Sequence, residues 1–306
     1  MKYFKTSASR GKGDKIEITC SEFEKATKRM FPFEQIDENK AVVQYGICPY
    51  CLNPVRLVGL YKKIKRKPHG KHAGKSISGL PKWNQVKYEY CPFKAKNRKP
   101  IEDEAQLLEI TEDTIELYKL LIDNFDKVVY VISQELGIRC STGFWEKALE
   151  QFLSSKAYCY PWLTEYNLPY IFAYHGMQHK NLFGQLFLVG SDLYNLLESR
   201  TDVCFISLNT NNKSRYKKLT NAGKFLNLQF RFTNHLQKGV CGEDLKETMS
   251  FCIDDATTKQ TIYKRTIKFN QNLFMDLVKH HSEPFNNQKQ ALLNIAEKYM
   301  KKIDTT

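Results

Sequence analysis

Cys48 and Cys51 stand two residues apart in Cys-Pro-Tyr-Cys-Leu-Asn-Pro (48–54), with His69 and His72 in a downstream His-Gly-Lys-His and Cys91 in Tyr-Cys-Pro-Phe. Two thiolates on a tight turn can grip one tetrahedral ion, and an imidazole with a further thiolate would complete its shell. The spacing C-x2-C-x20-H-x18-C offers four ligands of types that Zn²⁺ accepts: Cys48, Cys51, His72 and Cys91, with His69 as the alternative to His72. Cys91 is followed by Pro-Phe as Cys48 is followed by Pro-Tyr, an echo consistent with a second ligand-bearing turn. The competing reading is a pair of ordinary hairpin cysteines beside histidines that contact phosphate. A lobe of fewer than about 60 residues with little aliphatic core favours the metal as its staple.

The 48–54 phrase resembles one half of a zinc ribbon. A ribbon normally closes with a second C-x2-C pair, and none follows here. The resemblance covers residues 41–93, and residue by residue only Cys48 and Cys51 carry over. It implies a structural site, in a module of a kind that often binds nucleic acid or protein, and no particular reaction.

Charge locates a partner class. The chain has 47 Lys+Arg against 33 Asp+Glu, a net of +14, and the excess is concentrated in the first hundred residues. From Leu52 to Pro100, 14 bases face the single acid Glu89. Clustered cations gain free energy by releasing counterions from a phosphate backbone, so nucleic acid, DNA or RNA, is the expected partner. Lys62, Lys63, Lys65, Arg66, Lys67, Lys71 and Lys75 are the expected phosphate contacts. A merely solvated surface is the alternative. Residues 101–153 are acidic, 12 acids to 4 bases, and could dock a basic protein partner or the chain's own basic lobe.

The elements that must position these groups give an α+β expectation: a small basic zinc-bound β module, a helical middle, and a C-terminal antiparallel sheet with closing helices. Residues 1–16 read as a mobile basic arm, 17–100 as the zinc module, 101–200 as helical and 201–306 as sheet plus two helices, with 101–306 one domain. In the module, Ser21 with Glu24 reads as a capping box opening a helix. Residues 41–47 and 55–61 read as paired strands, 62–79 as a long basic loop, 87–93 as a third short strand and 94–100 as a hinge. Apolar spacing predicts helices across 101–153, broken at Gly137 and restarted at Ser141, and another over 182–197. Segments 203–208, 225–232, 248–253 and 261–269 read as one four-stranded antiparallel sheet, and 271–281 and 287–302 as helices.

Four further constellations have bland readings that outweigh the functional ones. Ile132–Ile138 followed by Ser141 and Phe144-Trp145 has a helix-turn-helix cadence, but Glu146 and Glu150 make the second helix acidic, so packing is expected. His175 and His179 share a helical face without a metalloprotease pattern. Asp254-Asp255 end a strand, where paired carboxylates can hold Mg²⁺, yet such pairs more often start turns. The 229–232 and 263–269 segments interleave bases with aromatics, and two-sided strand patterning explains them.

Several classes are excluded. Apolar residues at 42% argue against global disorder, and no apolar run reaches the roughly 18 residues of a membrane helix. Nine cysteines without a leader argue against a disulfide framework, so a soluble cytoplasmic protein is expected. No Walker loop, dinucleotide fingerprint or kinase signature is present. The expected function is zinc-stabilised nucleic-acid binding. A metal-dependent nuclease in the C-terminal half and a protein adaptor using 101–153 are its rivals.

Overall fold

The computed structural model describes the chain except residues 12–14, 63, 95–108, 209–213, 224, 241, 281–287 and 301–306. Lys63, the hinge from 95 onward, Leu107, Leu108, Cys241 and His281 therefore lie outside the described residues. The fold is α+β, with several antiparallel sheets. It divides into two compact units: Met1–Gln106 with Leu236–Glu247, and Leu107–His235 with Thr248–Thr306.

In the first unit, β1 (Tyr3–Phe4) pairs antiparallel with β2 (Ile16–Glu17). The expected mobile arm is thus anchored at both ends. Phe4 and Lys5 are fully buried, and the Lys5 backbone exchanges hydrogen bonds with Ile47 at 2.8 and 3.0 Å. Gly46 makes the seat: a Cβ there would lie 2.6 Å from the Phe4 ring. The arm's polar composition masked one deeply inserted aromatic. The cap of helix α1 (Cys20–Thr27) lies two residues before the expected one, because extended Thr19, not Ser21, accepts the Glu22 N–H at 3.3 Å.

Strands β3 (Glu34–Ile36), β4 (Val42–Ile47), β5 (Pro54–Val58) and β6 (His69–His72) follow, and they lie in chain order in one antiparallel sheet. The expected basic loop 62–79 is therefore interrupted by a strand, held by the backbone ladder to β5 rather than by any apolar alternation. The expected strand at 87–93 is instead helix α2 (Gln85–Glu89), whose cap Asn84 accepts the Lys87 N–H at 3.0 Å. Cap chemistry outweighed the aromatic β-propensity of Lys-Tyr-Glu-Tyr.

The second unit is built of α3 (Glu112–Asp123), α4 (Phe125–Leu136), β7 (Ile138–Arg139), α5 (Thr142–Ser154), α6 (Leu168–Gly176), β8 (Leu186–Leu188) and α7 (Asp192–Glu198). Then come β9 (Val203–Ser207), β10 (Tyr216–Asn221), β11 (Leu228–Lys238) and β12 (Lys246–Asp255), whose residues 236–238 and 246–247 belong to the first unit, followed by β13 (Gln260–Lys268), α8 (Leu273–Lys279) and α9 (Lys289–Met300). Gly137 and Ser141 terminate and cap as expected. α6 is apolar on nearly every side and is correspondingly buried. Two expectations change. The 182–197 helix is a strand followed by a short helix. The four C-terminal strands are not one sheet, since β9 joins the order β7-β8-β10-β9 while β11-β12-β13 stand as three. Pairing partners at this sequence distance are a tertiary choice. No helix among the described residues is long and apolar enough to cross a membrane.

Candidate metal centre

The β4–β5 connection makes the first half of the centre. The Cys48 N–H donates to the Asn53 carbonyl at 2.9 Å, and the Leu52 N–H to the Cys48 carbonyl at 3.0 Å. Leu52 takes φ +57°, a left-handed conformation costing a non-glycine residue about 1–2 kcal/mol, and its buried side chain helps to offset that. The turn points Cys48 and Cys51 the same way. β6 supplies His72 through its register with Val55, and the turn after α2 supplies Cys91, whose N–H donates to the Tyr88 carbonyl at 3.1 Å.

These four side chains converge: their ligand atoms all lie within 4.8 Å of one another. Cys48 Sγ is 3.8 Å from Cys91 Sγ, and His72 Nε2 is 3.2 Å from Cys51 Sγ and 3.5 Å from Cys91 Sγ. The three cysteines are buried and free. Burial opposes the Cys48 thiolate, yet hydrogen bonds from Cys51, Cys91 and the Cys51 and Tyr50 backbone outweigh it and hold that thiol well below its usual range. Cys91 is pushed well up by burial and then by its sulfur neighbours. Three crowded thiols cannot all ionise without a cation among them, so the donor set fits a metal ion.

Asn53 donates from Nδ2 to Cys51 Sγ at 3.4 Å and to the Asn84 carbonyl at 3.0 Å, while its Oδ1 accepts the Asn84 N–H at 2.6 Å. One buried amide thus ties the knuckle to the cap of α2. Tyr88 sets an edge against His72 at 5.0 Å, with Trp83 behind it at 6.3 Å. The Pro-Tyr and Pro-Phe echo has a physical counterpart: the Tyr50 and Phe93 rings meet at 5.3 Å. Asn53, Asn84, Trp83 and Tyr88 had no signal in the ligand spacing. Only the capping habit of Asn84 was there to read.

The remaining candidates are placed as follows. His69 is outside the cluster, with Nδ1 2.9 Å from the Lys67 carbonyl. Lys62, Lys65, Arg66, Lys67, Lys71 and Lys75 are all exposed, and Lys75 is bound to Glu38 at 2.8 Å. His175 is enclosed by Tyr160, Tyr174 and Phe152, whereas exposed His179 stands beyond the helix at φ +59°. Asp254 pairs with Arg231, and Asp255 receives Arg200 at 2.8 Å and the Thr257 and Thr258 N–H groups, so both carboxylates are structural. Phe144 and Trp145 are core residues, and β7 separates α4 from α5, which removes the helix-turn-helix reading. Phe230 and Phe232 are buried while Arg231 and Arg265 are ion-paired, as two-sided patterning requires. His280 caps α8 at its C-terminal end.

No protein-family model, no curated protein and no solved structure matches this chain significantly.

Proposed function

We propose that this is a zinc-stabilised nucleic-acid-binding protein in which residues 41–93 form a zinc-ribbon-like module and the basic segment 52–100 contacts phosphates. Zinc fits the donor set by size. Bonds of about 2.3 Å to sulfur and 2.05 Å to nitrogen give a tetrahedron with S–S edges of about 3.8 Å and S–N edges of about 3.5 Å. The 3.8 Å separation of Cys48 and Cys91 and the 3.5 Å separation of Cys91 and His72 match those edges, and the 3.2 Å separation of Cys51 and His72 is somewhat shorter. With four protein ligands and no open position, the ion's role is to hold the module rather than to act on a substrate.

One observation carries the nucleic-acid reading. Arg56 on β5 and Lys71 on β6 are directly opposite in register, both exposed, and neither has a carboxylate partner among the described residues. Like charges so placed are destabilising. A bound polyanion turns that cost into affinity. Lys62, Lys65, Arg66 and Lys67 lead along the chain into the same strand, and His72 fastens its far end. These cations supply affinity and salt dependence rather than base choice. Lys75, already paired, contributes least.

The test is fluorescence anisotropy with a labelled oligonucleotide across a salt series. Neutralising Lys62, Lys65, Arg66, Lys67 and Lys71 together is expected to weaken binding. Each phosphate contact contributes roughly 0.7–0.9 to the slope of log K against log salt, so losing three or four should lower it by about 2–4. A variant with wild-type affinity and slope would leave the segment a solvated surface, and the adaptor reading would replace this one.

A further inference from the structure

The basic loop is bracketed by two rings that phosphate binding does not need. Tyr61 opens it, 40% exposed, immediately before Lys62. The Arg29 guanidinium lies 4.8 Å over the Tyr61 ring, and exposed Lys28 precedes Arg29. Two residues after Arg29 comes Phe31, 63% exposed. Phe31 rests on the loop's other end. Gly79 sits at φ +73°, and a Cβ there would be 2.7 Å from the Phe31 ring, so a side chain would displace it. Gln35 fastens this arrangement by donating to the Pro32 carbonyl at 2.7 Å and to the Ser78 carbonyl at 2.8 Å.

A large aromatic held in place yet left in water forfeits burial that a packed position would give, and rings interleaved with cations mark binding surfaces. We infer that the nucleic acid bound here is single-stranded, its bases stacking on Phe31 and on the Arg29–Tyr61 pair while the intervening cations follow its backbone; this rests on the nucleic-acid reading above. In a duplex each base face is covered by its neighbours, so a phosphate-contacting surface gains nothing from an exposed ring. In a single strand every base has a free face, and stacking tolerates any sequence. Charge selects the occupant over a protein. Lys28 adjoins Arg29 and Lys62 adjoins Tyr61 in the chain, with exposed Lys65, Arg66 and Lys67 following on the same loop, whereas the carboxylates at the pair are already engaged, Glu34 by Arg29 and Glu24 by the Tyr61 hydroxyl; a partner must supply anions and flat apolar faces together.

The experiment uses the full-length, metal-loaded protein with a labelled single strand and a duplex of equal length at one salt concentration. Wild type is expected to prefer the single strand. Phe31→Ala should weaken that binding about tenfold and leave the duplex unchanged, since one base stack contributes that order of affinity. Phe31→Trp should retain binding. Phe31→Leu should behave as the alanine variant, because it keeps apolar area but loses the π face. Zinc content and circular dichroism equal to wild type confirm that each variant is folded. Equal losses on both substrates, no loss with Phe31→Ala, or full binding by Phe31→Leu would each overturn the inference while leaving phosphate binding intact. A wild-type protein that binds neither would overturn the proposed function itself.

Discussion

Replacing His72 by alanine removes one of four ligands while leaving β6 its backbone ladder to β5. Structural zinc sites contribute roughly 10–16 kcal/mol of apparent binding free energy, so an equal share per ligand is about 2.5–4 kcal/mol. At about 1.4 kcal/mol per tenfold, metal affinity should fall by two to three powers of ten. His69→Ala is the matched control, three residues away on the same strand, and should change nothing because its Nδ1 contacts only the nearby Lys67 carbonyl among the described groups. His72→Cys should restore most of the affinity, since a fourth thiolate is also a zinc ligand. Competition against a chromophoric chelator measures the constants, and elemental analysis after dialysis identifies the ion. Wild-type affinity in His72→Ala, or an equal loss in His69→Ala, would refute the assignment.

Two stability predictions concern the second unit. Burial, and then the proximity of His235, lower His175 to about 4. An unfolded imidazole titrates near 6.5, so between those values the unfolded state binds the extra proton. The neutral side chain's contribution is complete above about pH 6.5 and is lost as pH falls to about 4, an effect of roughly 3 kcal/mol. His175→Phe should flatten this part of the pH profile in urea unfolding, and an unchanged profile would refute the reading. Arg200→Ala should cost about 3–5 kcal/mol by leaving the buried Asp255 carboxylate without its cation. Arg200→Ala with Asp255→Ala should recover part of that loss in a double-mutant cycle, and strict additivity would show the pair uncoupled.

The chemistry of the centre was legible and its geometry was not. Cys48, Cys51 and Cys91 announce themselves through turn spacing and the repeated Cys-Pro-aromatic phrase. The histidine could not be chosen, because residues three apart on a strand point to opposite faces and the choice is a matter of register. His-Gly-Lys-His has no apolar alternation, so β6 itself was invisible. Only its pairing with β5 places His72 on the face of buried Gly70. Asn53 finds its partner Asn84 31 residues away, beyond any local pattern. Thr19 and Ser21 are both good caps, and the backbone chose between them. Conversely, the α4 stop and α5 start were plain, because a left-handed glycine and a serine cap act within one turn.

The first unit is discontinuous in sequence. It is completed by Leu236–Glu247, where Gln237 bonds Glu247 at 2.7 Å and Asp244 reaches Lys2 at 3.8 Å. A ribosome releases the metal ligands early and this segment late. Cys48, Cys51, His72 and Cys91 are therefore all available while much of the chain is still unsynthesised, but the unit around them is complete only once residue 247 has emerged. The strongly cationic segment must spend that interval beside ribosomal RNA, itself a polyanion. Gene truncation inherits the same constraint: a fragment cut at residue 106 carries every metal ligand and the whole basic loop, and still lacks a piece of its own body.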